Sequence, residues 1–391
     1  MTSNDELSGV RAATRDLFDW LCASALPLWS TMGVDWDLGG FVERLSPEGE
    51  PIADVRRARL VARQVYAFKA AGELGWSGPV PALVEHGVNA LCGHHISPDH
   101  EVISCYVPAE DRHTGGFDLY DQAFGLFGLA HAFAHLGDPN LETHARSILS
   151  RLRERWAHPT GGFVEHQPAQ PPLKANPHMH LLEAALAWST VSSDPAWPAL
   201  AKEMVDLCIA RFIDPGTGGL REFFNEDWNA IQDSSSDIVE PGHQSEWAWL
   251  LMRWSERSPT DRLKSAAKGL LAIAENEGLN TSQHRLVNEL HADLSIRDGR
   301  LRLWPQTERI KSLIRFSQHE AGGDEQTDVM RRIEQSVRAL LGYFDHAIAG
   351  SWWEHFDENG KPLIEPARAS SLYHIMGAAT ELGTLTGMRL T

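Results

Sequence analysis

EPGHQSEWAWLL, residues 240–251, reads as a helix that starts abruptly. Pro241 and Gly242 break the chain, after which His243, Glu246, Trp247 and Leu250 fall at i, i+3, i+4 and i+7 and share one helical face. That face carries a base, an acid and an indole; it is either a capped helix start whose histidine bonds locally or one wall of a site. Outward from this stretch the same design recurs: a loop containing Gly or Pro, then a helix with a polar residue near its start. Arg63, Tyr120, His180, His243, Trp304 and His374 mark these helices at separations of 57, 60, 63, 61 and 70 residues. Each separation is the length of two ordinary helices with their loops. Apolar spacing is helical through RAATRDLFDWLCASALPLW (11–29), LYDQAFGLFGLAHAFAHL (119–136), MHLLEAALAWS (179–189) and SEWAWLLMRW (245–254). Strand-like pieces are short (GGFVERL, GGFVEH, GGLREFF, GSWWEHF) and follow Gly-Gly or Gly-Ser turns, so they read as loop decoration.

Six units of one marked and one amphipathic helix predict an all-α chain. Six antiparallel αα-hairpins would close into a double ring, an (α/α)6 barrel with short β-hairpins in its loops, forming one catalytic domain over residues 1–391. The inner helices of such a ring run the same way, so polar residues some 60 positions apart in sequence would converge at one mouth. Helix N-termini add positive partial charge there, which suits a developing oxyanion.

Composition narrows the function. Acidic residues outnumber Lys and Arg 53 to 35, giving a net charge of −18, against a nucleic-acid partner. No segment is long and apolar enough for a bilayer and the first residues have no cationic head before an apolar run, so the cytoplasm is expected, with no membrane partner. Four cysteines without C-x-x-C spacing read as reduced. Fourteen tryptophans against five tyrosines either fill a large core or stack on the C–H faces of sugars. The sequence leaves monomer and homodimer equally open.

Further candidate residues lie on the other marked helices. In ANPHMHLLEAALAW (175–188), Asn176, His180 and Glu183 share a face and His178 points away. On a helix two residues apart side chains diverge by about 200°, so the two histidines do not make a metal pair. RASSLYHIMGA (368–378) puts His374 one turn after Ser370, and RLWPQTERIKSL (302–313) puts Trp304 and Glu308 at i, i+4. In RRARLVARQVYAF (56–68), Arg59, Arg63 and Tyr66 share a face, as a salt-bridged core arginine or as a ligand-binding one. Three histidines, carboxylates, an arginine and tryptophans at one mouth suit proton transfer beside a carbonyl. A neutral imidazole with pKa near 6.5 removes the proton, and cationic or N–H donors stabilise the enediolate. Neither a phosphate-binding G-x-x-x-x-G-K-[ST] loop nor a dinucleotide fingerprint competes.

At these residues the sequence resembles the N-acylglucosamine 2-epimerase superfamily over nearly its whole length. VARQVYAF (61–68), NPHMHLLEA (176–184), EPGHQSEWAWLL, LWPQTERIK (303–311) and SSLYHI (370–375) occur in the family's order. The Glu-Trp pair after P-G-H-x-x is more similar to the aldose–ketose isomerases of mannose, lyxose and sulfoquinovose than to the epimerases. The resemblance implies an (α/α)6 barrel without metal or redox cofactor, acting on a small monosaccharide. It implies His243 and His374 as the acid/base pair with Glu246 supporting His243, and Arg63 and His180 at the sugar oxygens of C1 and C2. It further implies Asn176, Trp304 and Trp353 as pocket lining, and Tyr120 and Glu308 complete the substrate-binding candidates. The expected reaction is D-mannose to D-fructose, or D-lyxose to D-xylulose, through a cis-enediol. The alternatives are a 2-epimerase using the same histidines and a barrel glycosidase using Asp35, Asp37, Glu246 or Glu308. A non-catalytic sugar-binding protein is a third. Long polar loops at 99–116 and 225–239 would set substrate size. Scattered cations such as Arg112, His113 and Lys174 are expected in solvent, so the sugar is expected to be unsubstituted.

Overall fold

A computed structural model of the chain describes residues 7–318 and 324–390. The first helical element runs through α1 (Ser8–Trp20), a π-helical turn (Leu21–Ala25) and α2 (Leu26–Thr31). Five pairs follow: α3 (Ala58–Glu73) with α4 (Val80–Ala90), α5 (Leu119–Leu136) with α6 (Pro139–Arg155), and α7 (Ala175–Val191) with α8 (Ala196–Leu207). Next come α9 (Pro241–Ser255) with α10 (Asp261–Asn276) and α11 (Leu303–Ser317) with α12 (Asp324–Leu341). The last helix, α13 (Ser371–Thr386), packs on α3 and on α1, so the chain's two ends complete the ring.

The ring α3, α5, α7, α9, α11, α13 closes on itself, and every residue marked in the sequence lies in the first two turns of one of these helices. The expected (α/α)6 barrel is the observed fold. Inner helices are surrounded by protein: α9 is buried without interruption from Pro241 to Met252. Outer helices bury one stripe, as α12 does with Gln326, Met330, Ile333, Val337 and Leu340 at spacings of three and four. No described helix is long and apolar enough to cross a membrane, and the four cysteines are free thiols.

The strand-like pieces do more than decorate loops. Some are local hairpins, such as Leu279–Asn280 with Arg285–Leu286. Others stitch one repeat to the next across the mouth: Arg56–Arg57 pairs with Cys105–Val107, Leu173–Lys174 with Phe223–Phe224, and Leu301–Arg302 with His355–Phe356. Arg44–Leu45 pairs with Ala367–Arg368 and joins the first loop to the last. Inner helices clasp these loops through a repeated amide. The Gln122 side chain bonds both N and O of Val102 at 2.8 and 2.7 Å, Gln244 does so with Leu220 at 2.8 and 3.1 Å, and Gln306 with Leu286 at 2.7 and 3.0 Å. In α7 the same task falls to His178, whose Nε2 accepts from the Phe163 N–H at 3.0 Å. Its Nδ1–H donates to the Lys174 carbonyl at 2.8 Å, so this histidine is structural and faces away from the mouth, as its spacing implied. The clasps satisfy loop backbone groups that burial would otherwise leave unpaired.

Candidate active site

Residues early in all six inner helices line a pocket of about 150 Å³ at the mouth. Five of these helices are entered from an extended, charged residue (Arg57, Asp118, Lys174, Glu240 or Arg302), which gathers ionisable groups there. Helix α9 begins with Pro241, whose fixed φ suits the first turn. Gly242 then allows close packing: a Cβ on it would lie 2.5 Å from the Trp304 ring. Trp304 consequently sits between the two histidines, 5.0 Å from His243 and 5.6 Å from His374 by ring centroids.

The two imidazoles have opposite electrostatic surroundings. His243 donates Nδ1–H to Glu222 Oε1 at 2.9 Å, with Glu240 Oε2 at 3.8 Å. Burial alone would depress its pKa, but the charges of Glu222 and Glu240 outweigh it and push His243 up to about 10. It is an imidazolium at neutral pH. His374 donates Nδ1–H to Glu308 Oε1 at 2.8 Å, and Glu308 Oε2 accepts from Lys311 Nζ at 2.6 Å. Burial, with Arg63 and Lys311 adding to it, holds His374 well below the usual imidazole range. A neutral ring that donates from Nδ1 keeps a lone pair on Nε2, which is free to accept a proton. His180, lowered by burial to about 4 despite Glu183, is neutral as well. Its Nδ1–H reaches Glu183 Oε2 at 3.1 Å, and Tyr373 donates to the same oxygen at 2.5 Å.

Arg63 donates from Nη2 to the Tyr120 hydroxyl at 2.6 Å and stacks over Phe124 at 4.2 Å. Four buried polar atoms at the mouth have no protein partner: Arg63 Nε, Asn176 Oδ1, Glu246 Oε1 and Arg302 Nε. Leaving such a group unsatisfied costs about 1–3 kcal/mol. Their convergence on one pocket marks a place where a polar ligand completes the hydrogen bonding. Burial, with the neighbouring Glu308 charge, pushes Glu246 well above the carboxylate range.

The structure brings Arg63, Tyr120, Asn176, His180, His243, Glu246, Trp304 and His374 to one pocket and corrects three expectations. The carboxylate on His243 Nδ1 is Glu222, not Glu246. Glu308 is fully buried behind His374 and positions it instead of touching a sugar. Trp353 lies off the pocket wall, because its Nε1–H is drawn to the Asp345 carbonyl and its ring packs on His346. Sequence reading also missed Glu222, Glu354, Arg302, Arg368 and Lys311. Glu354 accepts from the Trp352 indole, the Arg368 N–H and the Ser371 hydroxyl and borders the pocket. A signal for two of them existed: Glu43, Glu165, Glu222 and Glu354 occupy the same place in the four Gly-led strand-like pieces.

Among the described residues, two triads bring possible metal-ligating atoms within 4.8 Å: His180, Glu183 and Glu246, and Glu222, Glu240 and His243. In each, an imidazole N–H bonded to a carboxylate accounts for the closeness.

A helical barrel with buried histidines, carboxylates and an arginine gathered at its mouth is the architecture of a sugar isomerase or epimerase. The chain belongs to the N-acylglucosamine 2-epimerase (GlcNAc 2-epimerase) family, whose model matches residues 39–378. It is 38% identical to a protein of Rhizobium meliloti (strain 1021) named mannose-6-phosphate isomerase, over 94% of this chain and 96% of that one. It is 26% identical to D-mannose isomerase of Thermobifida fusca, over 73% of this chain and 72% of the relative. In fold it matches the solved cellobiose 2-epimerase of Bacillus thermoamylovorans B4167 with a TM-score of 0.85 at 16% identity, covering 95% and 98% of the two chains.

Proposed function

We propose that the protein is an aldose–ketose isomerase interconverting a mannose-type aldose and a fructose-type ketose through a cis-enediol, without a metal. The observation that carries this is the pair of buried histidines flanking Trp304, one bonded to Glu222 with Glu240 nearby and the other bonded to Glu308, whose charge Lys311 balances. After ring opening, His374 Nε2 takes the proton from C2 while His243 gives its proton to O1, yielding the neutral enediol. His243, now neutral, takes the proton from O2 as His374 returns its proton to C1, and the ketose leaves both histidines as they began. Arg63 and His180, beside one another through Tyr120, would hold the two oxygens whose charge changes. The relatives from Rhizobium meliloti and Thermobifida fusca are both named isomerases, one of mannose 6-phosphate and the other of D-mannose, which supports the isomerase reading.

Return of the proton to C2 from the other face would make the protein a 2-epimerase, the reading favoured by its likeness to cellobiose 2-epimerase. A glycosidase needs two carboxylates flanking a bond. Here Asp35 is bound to Arg56 at 2.7 Å, and Glu308 lies behind His374. The test is NMR identification of products from mannose and from mannose 6-phosphate, with and without EDTA. A fructose-type product in both conditions is expected. A glucose-type product without ketose overturns the isomerase in favour of the epimerase, and activity abolished by EDTA and restored by a divalent metal overturns the metal-free chemistry.

A further inference from the structure

We propose that an arginine-rich annexe beside the sugar pocket is a subsite for a terminal phosphate, so that the preferred substrate is a phosphorylated hexose. The proposal rests on the isomerase reading for its substrate and on the annexe itself for its ligand. The annexe has a volume of about 360 Å³ and adjoins the sugar pocket, sharing Arg63, Arg368 and Ser370 with it. Arg44, Arg57 and Arg59 also line it, with the carboxylates of Glu43 and Asp54 beside them.

Three of these arginines are balanced within the protein. Arg44 pairs with Asp54 at 2.6 Å, Arg57 with Glu43 at 3.0 Å, and Arg59 with Asp121 at 2.9 Å and Asp118 at 3.1 Å. The two on the shared wall are not: among the described residues neither Arg63 nor Arg368 makes an ion pair. Arg63 is 7% exposed and its Nε lacks any hydrogen-bond acceptor. A buried guanidinium without an anion is costly, and its planar fork of donors fits phosphate oxygens. The register points the same way. Arg44 and Arg368 stand directly opposite each other in the strand pair that closes the ring, and of these two like charges only Arg44 has a carboxylate partner, Asp54. Helix α3, sixteen residues long, begins at Ala58 beside these arginines and adds its N-terminal partial charge. With five arginines against Glu43 and Asp54 in its lining, the annexe carries a local excess of cations on a chain of net charge −18, which favours an anion there.

A hexose with C1 and C2 between the histidines would direct its far end along the wall of Arg63, Arg368 and Ser370 into the annexe. This departs from the expectation of an unsubstituted sugar. Two of the cations weighed for that expectation are engaged elsewhere, Arg112 with Glu110 at 2.7 Å and Lys174 with Glu165 at 2.7 Å.

The test compares kcat/KM for mannose 6-phosphate and mannose in the wild type and in Arg44→Gln and Arg368→Gln, and follows inorganic phosphate binding by calorimetry. A preference for the phosphorylated sugar of about 100-fold or more is expected, falling about tenfold or more in each variant, as loss of charge-assisted contacts demands. Inorganic phosphate is expected to bind the wild type in the millimolar range and to bind Arg368→Gln more weakly. Equal kcat/KM for the two sugars overturns the proposal, as does a wild type that binds no phosphate. A protein that binds phosphate but converts neither sugar supports the subsite and overturns the isomerase reading.

Discussion

Glu222 holds His243 in its charged form, and the Glu222→Gln variant removes that charge while keeping a hydrogen-bonding side chain of the same size. The carboxylates push His243 up to about 10, so the proton it is proposed to donate is expected to stay in place through the neutral and mildly alkaline range. In Glu222→Gln the pKa falls, and the alkaline limb of the kcat–pH profile is expected to move to lower pH. An unmoved limb would separate Glu222 from the acid. Glu308→Gln acts on the other imidazole. Losing the carboxylate that accepts Nδ1–H frees His374 to adopt the wrong tautomer, and a fall in kcat of about 10²–10⁴ is expected with KM little changed. His243, His180 and Arg63 were legible in the sequence because helical spacing exposes a shared face. Glu222 was not, since it lies 21 residues before its partner in a strand-like piece whose role depends on pairing across repeats.

The elements that carry these residues are positioned by contacts no propensity reveals. Gln244 clasps Leu220, two residues before Glu222, so α9 fixes both the histidine and its carboxylate. Gln244→Leu strands a backbone N–H and C=O in a buried place. A loss of about 2–4 kcal/mol is expected in denaturant unfolding, with a fall in kcat as Glu222 loosens. Unfolding free energy equal to wild type would show that the clasp carries no stability. Gly242→Ala forces a Cβ into the Trp304 ring, and a loss of about 1–3 kcal/mol follows from overpacking between α9 and α11. The six inner helices were readable because polar markers recur near 60 residues apart. The stitching strands were not, since two-residue pairs leave no periodicity and their partners lie in neighbouring repeats.

For the whole molecule, the repeat makes one substitution a controlled experiment. Three inner helices clasp their loops with glutamine and α7 uses His178, so His178→Gln should keep the clasp and the fold. His178 is depressed by burial to about 4, whereas an unfolded histidine takes its proton near 6.5. The unfolded state therefore binds more protons between these values, and stability carried by the neutral ring is lost as pH falls through the window. The loss is of the order of 3 kcal/mol. His178→Gln should flatten the decline of Tm between pH 6.5 and 4 relative to wild type, and parallel curves would contradict this. The barrel as a closed ring was legible in the repeat of marked helices, but the annexe was not, because Arg368 of the last loop meets Arg44 and Arg57 of the first loop and Arg59 and Arg63 of α3 only when the ring closes. The central claim is that His374 at the mouth of this ring moves the C2 proton. It is tested most directly by following exchange of the sugar's C2 hydrogen in D2O with wild type and His374→Asn. Exchange slowed by about 10²-fold or more in the variant, with the sugar still bound, is the predicted result. Exchange at the wild-type rate would contradict it.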